Sequence, residues 1–243
     1  MATQKGKFFS VLIGNYILYE LNGVQCVRSK PARKTMKQTR PTKAAAKQFG
    51  RASSMSARLR SGLSLLLQDI NQGDVMYRFN HVMQQWLQNG SPGTGTATGG
   101  FSFIDRFQFN SKTSLAEKLV VPLSVDWDQP KKIVISIPKL VPTRDIGAPA
   151  YTETVQWMFA MASCTVQQHS SLVWQNQNTI EMKYTEKAIA ADKIELQTRL
   201  KPGELSVVAL SLRYIITAKG KTVVQGDEQW MPAGIIGSYY AEK

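Results

Sequence analysis

Cysteine and histidine are scarce in this sequence, and their scarcity excludes most metal centres and disulfide frameworks. Among 243 residues there are two cysteines, Cys26 and Cys164, and two histidines, His81 and His169. The histidines have no cysteine or acid at ligand spacing, and the spacing of the two cysteines indicates neither a disulfide framework nor a metal cluster. We therefore expect no bound metal, two buried free thiols and a structural role for each histidine.

Sequence motifs of catalysis are missing as well. The chain has no G-x-S-x-G nucleophile elbow, and its glycine-rich segment 90–100 lacks the Lys-Ser/Thr pair of a phosphate-binding loop. Asp126 and Asp128 could form an acid–base pair, but they precede Gln129-Pro130, which favours a turn. We predict that the protein is not an enzyme and has no catalytic residue and no cofactor. An enzyme acting on a carbohydrate through the C-terminal part is a distant third hypothesis.

Long apolar runs are also absent. The apolar segment 8–14 follows two lysines, as in a secretory signal, but Asn15 and Glu20 interrupt it and no small-residue cleavage site follows. No run approaches the ~20 residues that a membrane-spanning helix needs. We therefore expect no transmembrane segment and a cytoplasmic location, with unconventional export as an open alternative.

Acidic residues are almost absent from the first quarter of the chain, and this is the strongest signal in the sequence. Residues 1–60 contain 13 Lys and Arg but a single acid, Glu20, and so carry +12 of the formal net charge of +13. Residues 28–60 hold eleven cations and no acid. Clustered cations attract a polyanion because each neutralised phosphate releases counterions, and Arg can hold a phosphate with two hydrogen bonds.

We expect this basic stretch to bind nucleic acid or another polyanion through ten side chains: Arg28, Lys30, Arg33, Lys34, Lys37, Arg40, Lys43, Lys47, Arg51 and Arg58. Docking on an acidic protein and a role in solubility alone are the alternatives. Tyr16 and Tyr19 lie near Arg28 and could stack on bases, but packing of the hairpin is the favoured interpretation. The chain carries no RNP signature, GXXG clamp or zinc finger.

The N-terminal pattern predicts a β-hairpin followed by a basic arm. One strand is predicted over residues 11–19 and the other over 24–28, joined at Asn22-Gly23, a pair that accepts the positive φ of a tight turn. Residues 29–41 are bounded by two prolines and show neither helical nor strand periodicity. We expect them to form an extended arm that becomes ordered against a partner or the rest of the fold.

Two amphipathic helices are predicted next. The first begins near Thr42, and its cations at positions 43, 47, 51 and 58 share one face. The opposite face is apolar: Ala45, Phe49, Ala52, Leu59, Leu63 and Leu66. The second helix covers residues 75–87 and is closed by Asn89-Gly90. The short connection between the two helices indicates a helical hairpin.

The period of the sequence changes to two after the low-complexity segment 91–100. Strands are predicted over residues 101–109, 119–127, 132–138, 155–161, 179–184, 194–198, 205–217, 221–225 and 235–240. We therefore predict an α+β fold, with an N-terminal β-hairpin and helical hairpin followed by an antiparallel β-sandwich. The predicted regions are a basic region 1–90, a flexible linker 91–100 and a sandwich domain 101–243.

The front of the chain resembles a group of uncharacterised basic proteins from Bacteroidota. The matching residues include Gly14-Asn15, Tyr19, Asn22-Gly23, the segment Val27-Arg28-Ser29-Lys30-Pro31, and the residues 42–46 and 49–53 that begin the predicted helix. In the back half, Val125-Asp126-Trp127 and the prolines at 138, 142 and 149 are similar to that group's β-rich part. The resemblance implies no known activity and carries over no functional residues.

Two hypotheses for the function follow. In the first, the arm and the basic helix face bind nucleic acid or an RNA-rich particle without strong sequence preference, and the sandwich presents a second surface to protein. In the second, the protein is a structural subunit of a larger assembly, such as a phage-like or surface particle, and the arm docks on an acidic neighbour. Both leave the oligomeric state open.

Overall fold

The chain forms two structural units, which divide it between Lys43 and Ala44. The computed structural model describes residues 3–5, 8–21, 23–30, 39–70, 72–88, 104–129, 131–166, 173–218 and 221–240. The predicted linker 91–100, most of the predicted arm, the first residues of the strand predicted over 101–109, and His169 lie outside the described residues.

The first unit contains, within its described residues, a four-stranded antiparallel sheet in the order β1-β2-β3-β4. The strands are β1 (Thr3–Lys5), β2 (Phe8–Ile13), β3 (Tyr16–Leu21) and β4 (Val24–Ser29). The predicted hairpin is confirmed, since β3 pairs with β4 around Gly23 at φ 76°. The single strand predicted over 11–19 is wrong, because Gly14 adopts a φ of 57° and turns the chain so that Ile13 pairs with Tyr16. A two-residue hairpin loop favours glycine at this first position.

The two predicted helices are confirmed as α1 (Arg40–Gly62) and α3 (Gln72–Gln88), with the short helix α2 (Ser64–Leu67) between them. Helix α1 begins earlier than predicted because the Thr39 hydroxyl accepts a hydrogen bond from the Thr42 N–H at 3.3 Å, which caps the first turn. The predicted apolar stripe is buried from Ala52 onward, whereas Phe49 is 51% exposed.

The C-terminal part of the second unit is sandwich-like, with two antiparallel sheets among the described residues. The small sheet has the order β5-β6-β9, with β5 (Ser124–Asp126), β6 (Lys132–Ile137) and β9 (Asp192–Gln197). The large sheet has the order β8-β7-β10, with β7 (Thr152–Thr165), β8 (Val173–Lys183) and β10 (Glu204–Ala218). On the side away from β7, strand β10 pairs with two strands. Its residues 205–211 pair with β12 (Ala233–Tyr240), and its residues 215–218 pair with β11 (Lys221–Val224).

The central strands of the large sheet, β7 and β10, are buried on both faces over most of their length, and large and small apolar residues alternate along β7. The large ones, such as Trp157, Phe159 and Leu210, pack against the small sheet. On the other face, residues such as Ala160 and Ala162 pack against α1, α2 and α3, and their short side chains leave room for the helices. The helices thus share one core with the large sheet. The helices and the large sheet belong to the unit that begins at Ala44, and the predicted linker 91–100 stays a prediction.

Residues 104–109, the described part of the strand predicted over 101–109, join this core without forming a strand. Over residues 104–109 the chain turns, and only a single bridge pairs Gln108 with Gly234 of β12. Phe107 and Phe109 are buried, with their ring centroids 4.8 and 5.9 Å from that of Phe79 in α3. The rings pack on α3, and the Phe109 N–H donates to the Ala233 carbonyl at 2.8 Å while the Ile235 N–H donates to the Phe107 carbonyl at 2.9 Å. Ring packing and one bridge to β12 therefore both hold this segment.

Three short helices complete the second unit as described. Helix α4 (Leu115–Lys118), which Ser114 and Glu117 cap with a reciprocal capping box, directly precedes the strand predicted over 119–127. Only the shorter β5 forms within that range. Helix α5 (Pro142–Asp145) follows β6, and a turn of 3-10 helix (Glu228–Trp230) precedes β12.

Candidate polyanion interface

The basic side of helix α1 provides the best-defined cations among the predicted site residues. Lys43 and Lys47 are exposed, whereas Arg51 and Arg58 are half-buried. The guanidinium of Arg51 donates a hydrogen bond from Nη2 to the carbonyl oxygen of Val166, at 3.4 Å. Because residues at positions i, i+4 and i+11 fall on one side of a helix, the side chains at 47, 51 and 58 form one basic row.

The remaining predicted cations belong to the first unit or lie outside the described residues. Arg28 is exposed at the end of β4, with its guanidinium carbon 5.4 Å from the centroid of the Tyr19 ring, which gives a cation–π contact within the sheet. Lys30 is exposed, and its N–H donates to the Asn15 carbonyl at 2.5 Å. Arg40, also exposed, is the first residue of α1. Arg33, Lys34 and Lys37 fall in the undescribed part of the arm.

The row on α1 leads to one end of the large sheet, where further cations gather. The Val166 carbonyl accepts from Arg51, while the Val166 N–H donates to the Gly203 carbonyl at 3.1 Å. The turn at Gly203 brings in Arg199 and Lys201, whose charges act on the buried carboxyl of Glu204. Burial raises the pKa of Glu204, and the two cations oppose that rise. Sequence inspection missed Arg199 and Lys201, because they are far from α1 in sequence and lie in a stretch of balanced charge.

Arg58 lies near the same end of the sheet, beside the buried thiol of Cys164. Burial raises the pKa of Cys164 to about 12, and the charge of Arg58 acts against that rise. Both cysteines are free thiols, as predicted. Cys164 is fully buried, whereas Cys26 is half-buried, so the predicted burial holds for Cys164 only. The charge of Arg58 therefore acts at the same end of the sheet that Arg51 contacts.

Arg51 and Arg58 make no ion pair with any carboxylate in the described part of the chain. Other arginines of this unit are paired: Arg78 with Asp74 at 2.8 Å, and Arg213 with Asp69 at 2.7 Å. An unpaired cation keeps its charge available to an external anion, whereas a paired one is largely neutralised. The two arginines of the basic row therefore differ electrostatically from those that hold the core elements together.

Arg60 does not belong to the basic row. It lies two residues from Arg58, on another side of the helix, and its Nε atom is buried with no hydrogen-bond partner among the described residues. Burial lowers the pKa of Arg60. The acid-free stretch therefore contains at least one cation whose surroundings suit packing rather than binding.

A groove runs between the edge strand β8 and the segment where α1 ends and α2 begins. Its helical wall is formed by residues 62–66, its floor includes Ala160, and its other wall is formed by residues 175–177, around a volume of about 370 Å³. Gln175 lies opposite Ala162 and Gln177 opposite Ala160, on the face that carries the helices, and both glutamines are exposed. Gly62 lies four residues after Arg58 and so on the same side of α1.

The other polar sites have structural explanations. A cavity of about 150 Å³ is lined by Asp69, Asp74 and Glu228, but each of these acids pairs with a cation, Glu228 with Lys112. Asp126 accepts a hydrogen bond from the Asp128 N–H at 2.9 Å, which confirms the predicted turn. His81 is exposed on α3. Within the described residues, no group of three or more His, Cys, Asp or Glu could hold a metal ion.

No helix in the described part of the chain is both long and apolar enough to cross a membrane. Comparison with known proteins gives no match to a family model, to a curated protein or to a solved structure. The resemblance to basic proteins from Bacteroidota therefore stays a prediction.

Proposed function

We propose that this chain is a non-enzymatic binding protein whose basic N-terminal arm and helix α1 engage a polyanion, namely nucleic acid or an RNA-rich particle. The observation that carries this proposal is the basic row of Lys47, Arg51 and Arg58, whose two arginines pair with no described carboxylate. The row lies in a stretch of 33 residues, 28–60, that contains no acid. A solvated helix face alone does not require that exclusion of acids.

The electrostatics of the second unit support the same conclusion. The row extends toward the end of the large sheet that carries Arg199 and Lys201, so cations from separate parts of the chain converge there. A surface of this kind neutralises several phosphates at once, and the release of their counterions supplies affinity that does not depend on sequence. The protein would then bind many sequences with similar affinity.

The proposal is tested by the fluorescence anisotropy of a labelled oligonucleotide at about 50 mM salt, where phosphate contacts are strongest. We expect the wild type to bind. The affinity of the triple variant Lys47→Gln, Arg51→Gln, Arg58→Gln should be about tenfold lower or more, because three phosphate contacts are removed.

A matched control separates local contacts from net charge. The variant Lys139→Gln, Lys183→Gln, Lys187→Gln also removes three charges, from exposed lysines near the opposite end of the large sheet. Its affinity should stay within about twofold of the wild type, since distant exposed charges are screened beyond the ~8–10 Å Debye length. No binding by the wild type at low salt, or equal losses in both variants, would contradict the proposal.

A structural subunit of a larger assembly is the second candidate, favoured by the exposed apolar residues of the first unit. Six large apolar side chains of its sheet are more than half exposed: Leu12, Ile13, Tyr16, Leu21, Val24 and Val27. Such a concentration is typical of protein contact surfaces. Purification from native cells, with mass spectrometry and the ratio of absorbance at 260 and 280 nm, distinguishes the candidates. Co-purifying nucleic acid supports the first, and a nucleic-acid-free complex with an acidic protein supports the second.

A further inference from the structure

We propose that the four-stranded sheet of the first unit stacks on the same sheet of a second copy of this chain, with unlike faces in contact. Both faces of the sheet expose apolar side chains, and the two faces carry opposite charges; this combination carries the inference. It rests on the second candidate function, a subunit of an assembly, and names the partner of its sheet. It does not depend on polyanion binding.

The register of the sheet assigns each side chain to one of two faces. Residues paired across antiparallel strands lie on the same face, and successive residues of one strand alternate between the faces. Face A consists, among the described side chains, of Val11, Ile13, Tyr16, Leu18, Glu20, Gln25, Val27 and Ser29. Face B consists of Ser10, Leu12, Ile17, Tyr19, Leu21, Val24, Cys26 and Arg28.

Both faces leave large apolar side chains exposed to water. Each face has three that are more than half exposed: Ile13, Tyr16 and Val27 on face A, and Leu12, Leu21 and Val24 on face B. No residue among 10–21 and 23–30 is buried. A sheet is stabilised by packing a face against a second layer, and a small single sheet in water is marginal. Because both faces are apolar, a neighbour on one face leaves the other still to be covered.

The charges of the two faces are opposite. Within the described strand residues 10–13, 16–21 and 24–29, face A carries one charged residue, Glu20, and face B carries one, Arg28. Neither forms an ion pair in the part of the chain that the structure describes. Face A of one copy laid on face B of another brings these opposite charges into one interface. Two A faces in contact, or two B faces, would bury like charges without an opposite partner, which is unfavourable.

The position of Arg28 suits a contact with Glu20 of the neighbouring copy. Its guanidinium carbon lies 5.4 Å from the ring centroid of Tyr19, the residue that precedes Glu20 in β3. Stacked sheets lie about 10 Å apart with their strands aligned to within about 30°. A neighbour stacked in the same orientation therefore places its Glu20 near this guanidinium. A pair joined by unlike faces retains one free face of each kind, so assembly continues beyond a dimer.

An acidic protein is a less complete fit than a second copy. Its charge suits face B, which carries Arg28, but leaves face A, which carries Glu20, uncovered. A second copy offers an apolar surface of opposite charge to either face.

The test is sedimentation velocity of the full chain, freed of nucleic acid, at about 0.5 M salt, where phosphate contacts are weak. Val27→Lys blocks face A by placing a cation opposite Arg28 of the neighbour, and Leu12→Glu blocks face B by placing an anion opposite Glu20. We expect the wild type to form species larger than a dimer. Each variant alone should raise the dissociation constant of self-association by about tenfold or more, because it buries an unpaired charge.

A mixture of the two variants gives the sharpest result. One retains face B and the other retains face A, so an equimolar mixture should form a one-to-one dimer and nothing larger. The matched controls Tyr77→Lys and Val120→Glu introduce the same charges at exposed positions of the second unit and should leave self-association unchanged. Circular dichroism verifies that each variant is folded.

A charge exchange tests the ion pair without touching the apolar residues. Arg28→Glu alone should weaken self-association about tenfold. Adding Glu20→Arg to that variant should restore self-association, because the two faces again carry opposite charges.

Three results would overturn the inference. The first is a wild type that stays monomeric up to about 100 μM. The second is a single-face variant that self-associates as the wild type does, since like faces would then pair. The third is a mixture of the two variants that stays monomeric. Each of these leaves polyanion binding, which is measured at low salt with variants of α1, unaffected. A sheet that binds an acidic protein instead of a second copy would support the second candidate function and overturn this inference.

Discussion

Arg78 is the residue whose replacement tests most sharply how helix α3 is attached to the rest of the core. Its guanidinium donates to the carbonyl oxygens of Gln108 and Phe109, both at 2.6 Å, and to the Asp74 carboxylate at 2.8 Å. It also lies over the Phe107 ring, 5.3 Å from the centroid. One side chain thus fixes the turn that follows α3 to the helix itself.

The expected loss of stability in Arg78→Met follows from these contacts. Hydrogen bonds from a charged donor contribute about 1.5–3 kcal/mol each, and the cation–π contact adds about 0.5–1 kcal/mol. The Arg78 side chain is 31% exposed, so water can reach part of the freed polar surface and the sum must be reduced. We expect the free energy of unfolding to fall by about 2–4 kcal/mol, because methionine keeps the packing of the stem and loses both carbonyl contacts.

Urea denaturation followed by tryptophan fluorescence measures this difference. The control is Asp74→Asn, which removes the ion pair and leaves both carbonyl contacts in place. An exposed pair of this kind contributes less than about 1 kcal/mol. If Arg78→Met were no more destabilising than Asp74→Asn, the attachment through the two carbonyls would be refuted. The packing of the phenylalanine rings and the backbone hydrogen bonds to β12 would then hold the segment.

Three further measurements test the buried core. Phe79→Ala should lower the free energy of unfolding by about 3–5 kcal/mol in the same urea assay, because it opens a cavity where α3 meets the large sheet. Tyr214→Phe should cost about 1 kcal/mol, since the Tyr214 hydroxyl donates to the Gly147 carbonyl at 2.8 Å. Burial raises the pKa of Tyr214, so the folded state resists ionisation of this phenol. The free energy of unfolding of the wild type should therefore fall as the pH rises above about 10. In Tyr214→Phe, which lacks the phenol, this fall should be less steep. At pH 8 a thiol reagent should label Cys26 in the native chain, and Cys164, with its pKa of about 12, only after unfolding; rapid labelling of both would contradict the burial of Cys164.

The elements that the sequence predicts well are those in which local pattern and tertiary burial agree. Helices α1 and α3 have apolar positions at helical spacing, and the same positions are buried against the large sheet. The β3–β4 hairpin was predictable because Asn22-Gly23 specifies a tight turn. Gly14 has the same capacity for positive φ, but Gly-Asn gives a weaker turn signal amid apolar residues, and the first strand was therefore predicted too long.

The layer arrangement could not be derived from periodicity alone. In β7 every residue from Phe159 to Cys164 is buried, so alternation of polarity does not mark its two faces. Alternation of size does: Trp157 and Phe159 face the small sheet, while Ala160 and Ala162 admit the helices. That contrast in volume is the signal by which a sequence could indicate a sheet covered by helices.

The candidate site was predictable in its helical half only. The absence of acids around Lys47, Arg51 and Arg58 is a property of the sequence, and it survives in the structure as a row of cations. Arg199 and Lys201 were not predictable as part of the site, because only the fold brings the turn at Gly203 to the end of β7 that Arg51 contacts.

The salt dependence of oligonucleotide binding tests the central claim most directly. For a single-stranded probe, the logarithm of the association constant should fall linearly with the logarithm of the salt concentration, with a slope of about −0.7 for each phosphate neutralised. We expect a steep slope for the wild type, and a slope smaller by about two for the variant Lys47→Gln, Arg51→Gln, Arg58→Gln, whose three contacts are lost. The same slope in the wild type and the variant would show that these cations do not contact phosphate, and would contradict the proposed function.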